Sequence, residues 1–286
     1  MLIPHAKHLE ASETLIGRSN KETRAFLERL RSRPSPHTFW GEADHAVILV
    51  TEGAGSVATF MISQLTNENE GELLQALQEA KSATTLKGIA TAHALLGEDD
   101  AQSVHLFESV GFAKLATLQY MEWSATQNPR VLSQITNATF YAASALTHDV
   151  LCSTLEKTFI GSLDCPAIHG KRNTEDIIAS HKGFEQNDLS LWFTILSDKE
   201  LAGVLFMNHL QNESILELAY LGITPEMRNK GIAIDAMSHA VNQAVKRGCN
   251  KIVLAVDDTN VPAISLYKKV NFRETTKRVA MFCPLH

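Results

Sequence analysis

The chain has 286 residues, enough for two domains of ordinary size, with 44% hydrophobic and 20% charged residues, the balance of a soluble globular protein. A formal net charge of −6 argues against nucleic acid as a partner, because phosphate contacts require clustered Lys and Arg. No apolar run reaches bilayer-spanning length, the first residues lack the apolar core of a secretion signal, and Cys152, Cys165, Cys249 and Cys283 show no paired spacing. These features predict a cytoplasmic chain with reduced thiols and no membrane partner.

In chain order, Lys21–Arg33 reads as a helix stopped by Pro34 and Pro36. His45–Thr51 and Ser56–Ile62 read as a hairpin turning at Gly53-Ala54-Gly55. A helix is expected at about Glu70–Ser82, a strand near Leu86–His93, and a helix over Ser103–Gly111 that closes on Gly111-Phe112. The short polar stretch Ser124–Arg130, containing Pro129, is the expected boundary between domains 1–125 and 131–286.

In the second half, helices are expected over Thr147–Phe159 and Thr174–Gly183. Leu216–Ile223 reads as an apolar strand running into Pro225 and a short basic loop. Ala233, Met237, Ala240, Val241 and Ala244 give one apolar face to a helix over Gly231–Arg247, which Gly248 stops. Lys251–Val256 reads as a buried strand, so strand, helix and strand form a βαβ unit with parallel strands. The loop leaves unpaired N–H groups and a helix dipole facing one point, which suits an anion such as a pyrophosphate.

Arg228-Asn229-Lys230-Gly231-Ile232-Ala233 fits the Arg/Gln-x-x-Gly-x-Gly/Ala pattern with which GNAT acetyltransferases grip coenzyme A. The run from Asp257 through Asn260, Ala263 and Leu266-Tyr267 to Phe272 resembles the second GNAT signature, with Asn271 where the family usually has Gly. Asn tolerates the left-handed conformation that such a helix end requires. Phe107 and Phe112 match Tyr267 and Phe272 at one offset of 160 (267−107 and 272−112), so the first half repeats the second. It lacks the Arg-x-x-Gly loop and carries Glu68, Glu70 and Glu72 there, so it is not expected to bind coenzyme A.

The expected fold is therefore α/β (α+β): two tandem GNAT-like domains, each a mixed, mainly antiparallel sheet flanked by helices, with a degenerate N-terminal copy. The arrangement resembles mycothiol synthase and its relatives. The resemblance implies acetyl-CoA as co-substrate, no metal, and direct transfer to the amine of a small molecule. The alternatives are a non-catalytic acyl-coenzyme-A sensor and a protein N-acetyltransferase.

The resemblance also implies site residues. The backbone at Leu221, Gly222 and Ile223 meets the pantetheine and thioester, and Arg228, Asn229, Lys230, Gly231, Ile232 and Ala233 hold the pyrophosphate. Asn260 and Ala263 lie on the cofactor side, although Asn260 is equally a good N-cap. Tyr267 stands where family members have a proton donor to the leaving thiolate, and Glu217 where several have a general base acting through water. By alternation Glu217 faces away from Leu216 and Leu218, together with Ala219 and Leu221; His209 and His239 are the alternative bases. Asp164, Cys165, His169 and Arg172 lie between two helices that commonly wall the family's acceptor site. Cys165 and His169 lack the further ligands of a zinc site.

Overall fold

The computed structural model describes residues 1–17, 20–127, 133–183, 189–210 and 214–285. Residues 128–130 of the expected interdomain stretch lie outside them. The chain divides into two compact units. One holds Met1–Ala116 and the chain from Arg278 on; the other holds Thr117–Lys182 and the stretch ending at Lys277.

The first unit contains helices α1 (His8–Ile16), α2 (Asn20–Ser32), α3 (Glu70–Leu86) and α4 (Ala101–Ser109). Its strands are β1 (His37–Glu42), β2 (Ala46–Gly53), β3 (Val57–Ile62) and β4 (Thr91–Gly97). β1, β2 and β3 pair antiparallel, β3 and β4 parallel. Alternation on β2 sends Ile48 and Val50 toward Leu73 and Leu77 of α3, and Val47 and Leu49 toward Leu27 and Leu30 of α2. The strand expected near Leu86–His93 starts later, at Thr91; Leu86 instead closes α3 and is exposed.

Helices α5 (His148–Phe159), α6 (Thr174–Lys182), α7 (Ile232–Lys246) and α8 (Val261–Lys269) belong to the second unit. Its strands are β6 (Thr139–Ala142), β7 (Trp192–Ser197), β8 (Glu200–His209), β9 (Ile215–Ile223) and β10 (Lys251–Asp257). β6 to β9 pair antiparallel in chain order, and β9 pairs parallel with β10. β8 alternates like β2: Leu205 and Met207 join the α7 core with Met237 and Val241, while Val204 and Phe206 join Leu155 and Ile178 of α5 and α6. On α7 the core face is Ile232, Ala236, Met237, Ala240, Val241 and Ala244, with Ala233 only half-buried.

The two remaining strands, β5 (Ala113–Ser124) and β11 (Arg273–Pro284), are exchanged. β5 pairs antiparallel with β10, from Lys251 opposite Ser124 to Asp257 opposite Leu118. β11 pairs antiparallel with β4, from Arg278 opposite Gly97 to Pro284 opposite Thr91. The compact units thus differ from the contiguous spans 1–125 and 131–286, because each is completed by the last strand of the other half of the sequence.

The repeat is visible in detail. α4 and α8 both have nine residues, β4 and β10 seven, and β5 and β11 twelve, each pair at the 160-residue offset. Asp100 caps α4 by accepting from the Ser103 N–H, and Asn260 caps α8 by accepting from the Ala263 N–H. Both helices end in a Schellman motif, with the N–H of Phe112 bonded to the Phe107 carbonyl and that of Phe272 to Tyr267. The left-handed residue is Gly111 in one and Asn271, at φ 67°, in the other, as expected for this Asn.

One irregularity decides how β9 presents its side chains. Phe206 pairs with Tyr220 but Met207 with Leu218, so Ala219 is an extra residue in a bulge. A one-residue slip reverses the faces. Leu221 and Ile223 therefore return to the α7 core beside Leu216 and Leu218, while Tyr220 packs toward α5 and α6. The expectation that Leu221 shares the face of Glu217 is overturned by this bulge.

Gly222 lies under α5, where an added Cβ meets Thr158 Cβ and Oγ1 at 2.6 Å and Tyr220 Cε1 at 2.7 Å. The close approach that requires this glycine is the packing of a helix. Gly222→Ala is expected to lower stability by about 1–3 kcal/mol, read by denaturant titration, through overpacking of α5 on β9. A change within error removes this account of the glycine.

Candidate active site

β9 and β10 pair only at Ile215, Leu216 and Glu217, opposite Lys251, Ile252 and Val253. Beyond that fork β9 continues to Ile223 and β10 to Asp257 without pairing to each other. Leu221, Gly222 and Ile223 are paired with β8 on one edge, so their other edge faces the opening.

The chain leaves β9 through Pro225–Met227 into a loop whose shape Arg228 holds. Its guanidinium donates to the carbonyls of Ile223 (3.0 Å), Gly161 (3.2 Å) and Thr158 (3.0 Å). Two of these acceptors lie at the C-terminal end of α5, where carbonyls have no partner within the helix and a cation is favoured. Arg228 thus acts as a strut for the loop through its side chain. Asn229 (φ 60°) and Gly231 (φ 82°) are both left-handed, which turns successive amides in one direction. Among the described residues, the N–H groups of Asn229, Lys230, Gly231, Ile232 and Ala233 find no acceptor. A run of such donors at a helix N-terminus can accept an anion. Lys230 adds a positive charge, its Nζ resting 3.6 Å from Met227 Sδ.

A segment before β6 shapes the same corner. The buried Asp235 carboxylate accepts from the N–H groups of Ile135 and Thr136, both at 2.7 Å, and from the Thr136 hydroxyl. These bonds leave Thr136 Cγ2 only 3.1 Å from where a Cβ on Gly231 would stand. A side chain at 231 is therefore opposed by both space and φ.

Near the tip of β10, two carboxylates and two phenols lie close together. Asp164 accepts from the Asp257 N–H, and Asp257 accepts from the Cys165 N–H, both at 3.2 Å. The Thr259 N–H and hydroxyl also donate to Asp257. Burial first, and the Asp257 carboxylate second among the unfavourable influences, push the Asp164 carboxyl above its ordinary value. Burial, Asp164 and Asp257 push the Cys165 thiol up to about 12, so it is protonated and unsuited to act as nucleophile. The buried Tyr267 phenol is pushed up by burial, then by Asp164 and Tyr220, and keeps its proton. Tyr220 is pushed up by burial to about 12, and its hydroxyl lies 2.7 Å from Thr158 Oγ1.

Glu217 stands at the fork itself. Burial raises its carboxyl pKa, while a hydrogen bond from Asn208, its register partner on β8, acts in the opposite sense. Asn208 also accepts from Trp192 Nε1 and donates to the His181 carbonyl. His181 packs against Tyr220 and Phe206, and burial lowers its pKa to about 4, so it is neutral.

The other expected residues divide clearly. His169 stacks on Phe159 at 5.8 Å beside the Asp164 loop. Arg172 donates to the Asp176 carbonyl and the Ser180 hydroxyl of α6. Asn260 and Ala263 form the α8 cap. The alternative bases are elsewhere: His239 lies between Phe140 and Phe193 with its pKa lowered to about 4 by burial, and His209 lies beside Cys249. Sequence reasoning missed Thr158, Tyr220, His181, Asn208 and Asp257. Only Asp257, opening the Asp-Asp-Thr-Asn run, carried a signal.

Asp164 has a raised pKa in the fold. Its contribution to stability is therefore present below the ordinary Asp value and lost as pH rises through the folded value. Asp164→Asn keeps an acceptor for the Asp257 N–H and removes that loss. The Tm advantage of the variant should vanish below about pH 4 and grow toward pH 8. Thermal melts across that range test this, and a constant difference would rule it out.

Residues 158–272 match the acetyltransferase (GNAT) family. Streptothricin acetyltransferase of Streptomyces lavendulae is 30% identical over 88 residues, which cover 31% of this chain and 47% of that protein. The chain spans less than half the length of the curated relatives it matches. A GCN5-related N-acetyltransferase from Sphaerobacter thermophilus has a similar fold, with TM-score 0.64 at 13% identity, over 98% of this chain and 91% of that one. A tandem GNAT protein from the clavulanic acid biosynthesis pathway aligns over 100% of this chain and 98% of that one, with TM-score 0.54 at 10% identity. No helix among the described residues is long and apolar enough to cross a membrane. The chain has the fold of the tandem GNAT proteins, and within it residues 158–272 match the acetyltransferase (GNAT) family.

Proposed function

We propose that this protein is an N-acetyltransferase that moves an acetyl group from acetyl-coenzyme A directly to the amine of a small molecule. The observation that carries the reading is the cradle of amides from Asn229 to Ala233, placed directly beyond a fork in the sheet. A pyrophosphate needs converging N–H donors and positive potential, and both are present there. The edge of Leu221–Ile223 that faces the opening supports a place for an extended amide-bearing arm.

Transfer to an amine requires removal of a proton from the amine and stabilisation of the departing thiolate. Glu217 is the base in this reading, because its raised carboxyl pKa makes it a stronger base than an exposed glutamate. Tyr267 keeps its proton at neutral pH and is the donor to the thiolate. The acidic, aromatic surroundings of Asp164, His169 and Tyr220 suit a cationic amine, and one relative carries streptothricin in its name as the compound acetylated.

Calorimetry on the full chain should show one equivalent of acetyl-coenzyme A bound. Gly231→Asp should abolish binding while circular dichroism stays unchanged. Binding that survives this substitution sinks the reading. Thiol release with a panel of small amines tests catalysis; binding without turnover on any amine favours a sensor. Glu217→Gln should lower kcat by about 10²–10⁴-fold with little change in acetyl-coenzyme A affinity. In the unaltered protein kcat should rise with pH through a pKa above about 4.3, since the base acts deprotonated.

A further inference from the structure

His148 and Cys152 stand four residues apart on α5, and so lie on one face of the helix. Glu175, the second residue of α6, meets them there. His148 Nε2 lies 2.6 and 2.8 Å from the two oxygens of Glu175. Cys152 Sγ lies 3.5 Å from His148 Nε2 and 3.6 Å from Glu175 Oε1. Three different donor atoms, one sulfur, one nitrogen and one oxygen, thus converge within 4.8 Å of one another.

We propose that His148, Cys152 and Glu175 form a binding site for a divalent metal ion of the zinc type, separate from the acyl-transfer site. A tetrahedral ion with Zn–S near 2.3 Å and Zn–N near 2.0 Å sets its sulfur and nitrogen ligands about 3.5 Å apart. The separations from Cys152 Sγ already have that size. The nitrogen and oxygen of a bound ion stand about 3.3 Å apart, so Glu175 has to withdraw by less than about 1 Å. Glu175 is exposed and has room to do so. Solvent is open to the fourth position, since His148 is exposed as well.

The ligand set selects the ion. A thiolate with an imidazole and a carboxylate suits zinc, whereas calcium and magnesium take oxygen donors alone. The surroundings favour a cation. Burial first, and then Glu175, Glu156 and Asp149, disfavour the Cys152 thiolate when no cation is present, and Lys182 is the opposing charge near Glu175. Binding exchanges the Cys152 proton for the ion: the S–H bond breaks, a metal–sulfur bond forms, and one proton goes to solvent. The imidazole binds through Nε2 in its neutral form. An ion held this way fastens the N-terminal turns of α5 and α6 to each other, at the opposite end of α5 from Arg228.

The test uses the full chain, reduced and freed of metal by a chelator, titrated with zinc ion against a chromophoric indicator. One equivalent should bind, with proton release and with affinity rising from about pH 6 to 8. Cys152→Ser and Glu175→Gln should each weaken binding by about 100-fold, and Cys249→Ser should leave it unchanged. Glu175 is a surface side chain, so its substitution does not disturb the core if Cys152→Ser should fail to fold. Cobalt(II) should give a thiolate charge-transfer absorption that Cys152→Ser loses. The absence of an equivalent of bound zinc overturns the site. So does binding unaffected by Glu175→Gln, or a cobalt spectrum that lacks the thiolate band.

Discussion

Three pieces of the second unit meet on one guanidinium. Arg228 binds the carbonyl that ends β9 and two carbonyls at the end of α5, and thereby fixes the path between them. Planar donors in a rigid fork can satisfy three acceptors at once, which an ammonium group serves less well. Everything downstream depends on that path. The left-handed turns at Asn229 and Gly231 aim their amides in a common direction only because the residue before them is held. The pattern suggests this side chain as an anion ligand, and its three carbonyl bonds also make it the brace of the loop.

The second constraint is the bulge at Ala219. Without it, strict alternation would turn Tyr220 into the α7 core and Leu221 toward α5. With it, Glu217 stays at the fork, Tyr220 reaches Thr158, and Leu221 and Ile223 remain in the core. Gly222 then has to be a glycine because α5 descends onto it. The fork, the bulge and the helix contact are thus one packing solution. Burial around the opening keeps Tyr220, Tyr267 and Cys165 protonated, so the titratable groups there are set by desolvation more than by partner charges.

The first unit shows the same frame with a different loop. Asn69 accepts from the Thr66 N–H and donates to the carbonyls of His45 and Gln64, closing the turn before α3 on itself. Glu70 and Glu72 occupy the first turn of that helix, where their charge meets the dipole. The frame survives because the caps, the Schellman ends and the strand lengths are kept. The side-chain amide of Asn69 and the Thr66 N–H are spent within the loop.

The sequence by itself determined the local events. A cap at Asn260, a left-handed Asn271, an apolar face on α7 and the 160-residue repeat follow from neighbours a few residues apart. Periodicity and φ preference suffice to read them. Tertiary structure decided whatever required comparing distant partners. β5 and β11 are equal in length and occupy equal places in the repeat, so only packing chose β10 for one and β4 for the other. Asp257 meets Asp164, Arg228 meets Thr158 and Asp235 meets Thr136 across long stretches of chain, and no spacing rule connects them. The bulge at Ala219 belongs to the same class. An extra residue in one strand exists only relative to the strand it faces.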